Sequence, residues 1–172
     1  MTLQELAQRE VELSMRVGSA AGNMEAKEAA LAADGVFTEY AEILAGYCAL
    51  FRSPADGAEA LSRATFLVWY EMAEPACFSG LRDLPISLVA ATLGELNTVS
   101  ARGEIPRELE AMLGFYNSIA DFAFTRVGPW PALRSRLAAT NPNAWREVLS
   151  PPVHRWARGQ LSDYWSSIIA VT

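Results

Sequence analysis

The sequence predicts an all-α fold, a single compact bundle of about six to eight helices, and three observations predict it. Alanine is the commonest residue while Val, Ile and Thr are scarce outside the last twenty positions, a balance that favours helices over pleated surfaces. Good N-cap residues precede proline at Ser53-Pro54, Asn141-Pro142 and Ser150-Pro151, where each pair marks a helix start. Apolar residues recur at three- and four-residue steps through much of the chain, the period of a helix with one buried face.

Taken in order, Thr2 followed by Glu5 makes a capping box, so the first helix is expected over 2–17. A second, over 23–52, carries a broad face of Val36, Phe37, Tyr40, Ile43, Leu44, Tyr47, Leu50 and Phe51. Beside that face Glu42, Gly46 and Ala49 form a strip that another helix can approach closely. The third, over 54–74, is apolar nearly all round. Leu61, Phe66, Val68 and Trp69 belong in the core, and a stripe of Arg63, Leu67, Glu71 and Glu74 either reaches solvent or lines a cleft. Pro85 and Pro106 open helices over 85–100 and 106–126. In the latter Leu109, Met112, Leu113, Tyr116, Ile119, Ala120 and Ala123 are expected inside, with Phe115 and Phe122 widening the face. Shorter helices are expected over 131–140 and 142–149, and a last one over 152–170.

With 172 residues, 51% of them hydrophobic, the chain can bury a full core, and a mean hydropathy of +0.11 excludes a disordered one. A formal charge of −6 argues against nucleic acid as a partner, because phosphate contacts need clustered Lys and Arg. The N-terminus lacks a charged region followed by an apolar one, and no window is long enough for a membrane span. The expectation is a cytoplasmic protein with no membrane contact. Cys48 and Cys77 are too few and too separated for a disulfide framework or zinc site and read as buried thiols. The charge is segregated: residues 1–120 hold 8 basic and 17 acidic residues, whereas 121–172 hold 6 and 3. The break falls at Thr125–Pro131, where Gly128, Pro129 and Pro131 interrupt the pattern. One domain over 1–172 is expected, with core helices in 1–126 and a docked region of short helices in 131–172.

Chemistry-bearing residues are few. His154, the only histidine, stands beside Arg155 and one turn before Arg158, cations that disfavour its charged form, so a capping or surface role is expected. Glu39-x-x-Glu42 and Glu71-x-x-Glu74 each place two acids on neighbouring helical positions, a layout able to hold magnesium if the two helices are neighbours. This layout resembles the all-α nucleoside triphosphate pyrophosphohydrolases of the MazG type. The resemblance implies magnesium bound by Glu39, Glu42, Glu71 and Glu74, with water attacking a phosphate. The chain departs from that family in having Glu74 where an aspartate is typical, and no lysine near the site for phosphate.

Two further candidates stand beside it. Trp69 and Tyr70 can wall a small-molecule pocket with Glu71 and Glu74 as its polar contacts, just before Pro75 ends the helix. Four of the five tryptophans lie in the last 43 residues among arginines, which makes Trp130, Arg134, Trp145, Arg155 and Arg158 a candidate partner surface. The leading expectation is a non-enzymatic interaction or regulatory module, without a cofactor, that binds a protein partner or itself. The alternatives are the magnesium-dependent hydrolase and the Trp69/Tyr70 pocket.

Overall fold

A computed structural model describes residues 1–149 and 155–171, which hold ten α-helices, eight of them seven residues or longer, and no strand. The fold is all-α. The expected helix-start pair Ser150-Pro151, His154 and the expected helix start at 152 lie outside the described residues.

Helix α1 (Leu3–Ser19) opens on the capping box: Thr2 Oγ1 accepts the Glu5 N–H at 3.2 Å, and Glu5 Oε2 accepts the Thr2 N–H at 2.7 Å. The single helix expected over 23–52 is two, α2 (Met24–Ala33) and α3 (Val36–Leu50). The chain breaks at Asp34-Gly35, where Gly35 takes φ +75°, a left-handed conformation that glycine adopts without strain. Helix α4 (Gly57–Ala73) starts three residues later than expected, because Ser53 closes a turn of its own by accepting the Asp56 N–H. Pro75 stops α4, and one turn of helix, α5 (Ala76–Ser79), follows.

Helices α6 (Ile86–Arg102) and α7 (Arg107–Ala120) begin after Pro85 and Pro106. The chain does not continue as an α-helix to 126 but tightens into a 3₁₀ turn over 121–124. Helix α8 (Pro131–Ala139) has proline in its first turn, and Asn97 of α6 caps it from outside by accepting the N–H groups of Ala132 and Leu133. Of the segment 142–149 only α9 (Trp145–Val148) is helical. The last helix, α10 (Arg155–Val171), is broken at Gly159, whose φ of +59° and ψ of −143° lie outside the helical region.

Helix α4 runs through the middle of the molecule, buried continuously from Ala60 to Trp69. The first half of the stripe expected along it therefore does not reach solvent, since Arg63 and Leu67 are both buried. The close approach at Gly46 is made by α1: a Cβ there would sit 2.6 Å from a methyl of Leu6. The most extensive contact between two helices is that of α10 along α1. No helix among the described residues is long and apolar enough to cross a membrane.

In α7, Leu109, Met112, Leu113, Tyr116 and Ala120 form the buried arc, but Ile119 is 52% exposed. It sits at the margin of that arc in the last turn, and Phe122 is exposed in the 3₁₀ turn beyond it. The two positions should part in urea unfolding. Leu113→Ala is expected to cost about 2–5 kcal/mol through the cavity it leaves, and Ile119→Ala to stay within about 0.5 kcal/mol. Equal losses would mean that α7 packs by a different face.

Candidate functional site

The end of α4 shapes a cleft. Pro75 forces Glu74 into an extended conformation, and α5 closes on Gly80 at φ +74°. A Cβ on Gly80 would lie 2.7 Å from both the Tyr40 ring and a Val17 methyl. The chain must then return to α6, and Glu71 pins that return: its Oε1 accepts the Leu84 N–H at 2.6 Å, while its Oε2 pairs with the Arg126 guanidinium. Between these elements lies a cleft of about 460 Å³ lined by Glu71, Met72, Glu74, Arg82, Ile86 and Arg126, among others. Arg82 is held by Glu28 at 3.0 Å and Asp83 at 3.5 Å, whereas Glu74 has no ion-pair partner among the described residues. Two large apolar side chains of the lining stand exposed, Met72 at 36% and Ile86 at 64%.

The four-glutamate magnesium centre of the alternative reading is not assembled. Glu39 and Glu42 are engaged by α1, where Arg16 meets Glu39 at 2.6 Å and Arg9 meets Glu42 at 2.8 Å. Glu71 is committed to Arg126 and Leu84. No three His, Cys, Asp or Glu side chains among the described residues are grouped so as to hold a metal ion.

The expected aromatic pocket divides. Trp69 is no wall of it: the ring is buried, stacks on Tyr116 at 4.3 Å between centroids, and donates its indole N–H to the Tyr116 carbonyl at 3.0 Å. Tyr70 stacks on Phe66, and burial, with Glu74 and Asp163 adding to it, pushes its hydroxyl up to about 12. The Glu71 and Glu74 half of the expectation does stand at a cavity, the cleft just described.

Two of the residues expected to form a partner surface at the C-terminal end, Trp145 and Arg158, are engaged within the molecule. Trp145 is buried against Phe115 and Trp165. Arg158 grips Glu59 with two parallel bonds of 2.8 and 2.9 Å and also bonds Glu108, so it joins α10 to α4 and α7. Burial alone would push the Glu59 carboxyl up, but Arg158 and Arg63 hold it below its ordinary value. Trp130 is half-buried over Gly94 and Gly128, Arg134 is exposed, and the Arg155 side chain lies outside the described residues.

One group of polar residues was not singled out in the sequence. Glu10 of α1 is 1% exposed and accepts the Tyr47 hydroxyl on Oε1 and the Gln160 N–H, at 2.9 Å, on Oε2. Burial pushes its carboxyl up to about 7, against the pull of Tyr47, Gln160 and Arg63. Arg63, itself buried over the Tyr47 ring, donates to Glu59 at 2.8 Å and to the Leu3 carbonyl at 3.0 Å. Polar contacts thus run from Glu10 through Tyr47, Arg63 and Glu59 to Arg158. The sequence does hold a signal for this: Leu6, Glu10, Leu13 and Val17 follow one another at steps of four, three and four, which places an acid on the apolar face. Comparison with protein-family models, with curated proteins and with solved structures gives no significant match to this chain.

Proposed function

We propose that the chain is a non-enzymatic interaction module that grips a short segment of a protein partner in the cleft at the end of α4. The observation that carries this reading is the grouping of exposed Met72 and Ile86 around a charged floor fixed by the Glu71 and Arg126 pair. Isolated apolar residues on a surface are ordinary, but apolar side chains gathered at a cavity with a few oriented polar groups describe a binding site. The lining holds four carboxylates, Glu28, Glu71, Glu74 and Asp83, against two guanidiniums, Arg82 and Arg126, a net of −2. Its complement is an apolar segment that carries one or two basic residues, with Glu74 as the acid left to receive them.

Selection of short random peptides displayed on phage tests this reading. Panning on the chain is expected to enrich peptides with Lys or Arg flanked by apolar residues. Glu74→Lys should weaken their binding about tenfold, and Met72→Asp with Ile86→Asp should abolish it. Enriched peptides that bind all variants equally, or that share no basic and apolar pattern, would overturn the proposal.

A further inference from the structure

We propose that Glu10 is a proton-operated latch on the C-terminal helix: protonated, it holds the break at Gly159 and Gln160 closed on α1, and ionised, it loosens segment 160–171 about Gly159. This inference is independent of the cleft and its partner.

The geometry supplies each part of the latch. Gly159 interrupts α10 with backbone angles essentially restricted to glycine, so the stretch that follows starts anew and its first N–H groups lack partners within the helix. Glu10 takes the first of them, the Gln160 N–H, and so caps that stretch from another helix. The fit is close: a Cβ on Gly159 would lie 2.6 Å from Glu10 Oε2 and 3.1 Å from the Glu10 Cβ. Gln160 also ties α10 to α5 by donating its side-chain amide to the Ser79 carbonyl at 2.7 Å. Upstream of the break, Arg158 is clamped to Glu59 and Glu108, so Gly159 is the hinge and Arg158 its fixed side. Among the described residues the seat is incompletely satisfied, since the Tyr40 hydroxyl and the Gln160 side-chain oxygen are buried without a hydrogen-bond partner.

The groups that face Glu10 set the direction. From α3 come Tyr47, whose hydroxyl donates to the ionised carboxyl, and Tyr40. From α4 comes Arg63, whose charge favours the ionised form, and from α10 comes Asp163, whose charge opposes it. From α5 comes the Ser79 carbonyl, through Gln160. Burial outweighs the favourable contacts, and the carboxyl titrates near 7 in the closed form against an ordinary value of 4.5. The closed form therefore binds the proton more tightly than an opened, hydrated one. The advantage of closure is complete below about pH 4.5 and is lost as pH rises through about 7. These two values make the opening constant of the segment rise about tenfold between pH 6 and pH 8.

Hydrogen exchange of the full chain followed by mass spectrometry, corrected for the intrinsic pH dependence of exchange, reads this directly. The expected result is a tenfold loss of protection in 160–171 from pH 6 to pH 8, through an opening that leaves α4 amides better protected than this segment at both pH values. Glu10→Gln should remove that pH dependence and keep at pH 8 the protection seen at pH 6. Tyr47→Phe takes away a bond to the ionised form, so it should move the loss to higher pH, a readout that remains if Glu10→Gln does not fold. The latch is overturned by protection in 160–171 that does not change with pH, by a loss that persists in Glu10→Gln, by an unmoved midpoint in Tyr47→Phe, or by protection in 160–171 equal to that of α4 at each pH, which would mean that the segment opens only when the whole chain unfolds.

Discussion

Replacing Trp69 by alanine is expected to cost about 3–5 kcal/mol in urea unfolding, the range for emptying the site of a fully buried large ring. The side chain sits against Tyr116, Phe66, Phe115 and Tyr164, and its indole N–H is the donor that satisfies the Tyr116 carbonyl. Alanine removes both the packing and the donor. Phenylalanine keeps much of the first and none of the second, so Trp69→Phe should lose less than the alanine variant. A loss under about 1 kcal/mol for Trp69→Ala would return the residue to the wall of a pocket, where truncation leaves no closed cavity.

The all-α class and most helix starts were legible in the sequence because they depend on neighbours along the chain. Thr2 and Glu5, Pro85, Pro106 and Pro131 act within one helical turn, and each stands at a helix start. The break at Asp34-Gly35 was less legible, since the apolar periodicity resumes after it and one glycine inside such a pattern is ordinary. The site was harder for a different reason. Paired glutamates look alike whether they meet metal or arginine, and what decides between these is where Arg9 and Arg16 arrive from α1 and Arg126 from the loop after the 3₁₀ turn. Trp69 shows the same dependence: the aromatic run before Pro75 is as suitable for a cavity wall as for a core, and the packing of α7 and α10 over it makes it core.

The C-terminal arginines and tryptophans illustrate how charge segregation can be used up within a chain. Arg158 to Glu59 and Glu108, Arg136 to Glu110, and Arg126 to Glu71 all join the basic end to the acidic part. A partner surface proposed from composition alone placed Trp145 and Arg158 outward, because composition does not distinguish a surface complementary to another protein from one complementary to the rest of the same chain. The cleft retains exposed apolar groups after those pairings are made, and this is what separates it from the C-terminal cluster.

Arg63→Leu is expected to cost about 3–5 kcal/mol, and to cost more at pH 9 than at pH 5. Leucine suits an apolar helix, but it leaves the Leu3 carbonyl without the donor that Arg63 provides and takes from Tyr47 and Glu59 the charge that faces them. Glu59 keeps Arg158, so the charge most exposed to the loss is that of Glu10. Arg63 is among the groups that draw the Glu10 carboxyl down, and without it that carboxyl rises further above the 4.5 of an unfolded chain. A carboxyl raised in the folded state contributes stability that is complete below its unfolded value and lost as pH rises through its folded one. In the parent that loss ends near pH 7, and in Arg63→Leu it continues to higher pH, which is why the variant should fall further behind at pH 9. Arg63→Lys, which keeps a charge but not the planar fork, should recover part of the pH 9 deficit. Urea unfolding of the three proteins at pH 5, 7 and 9 measures these differences. A deficit equal at all three values would mean that Arg63 acts on the core by packing alone.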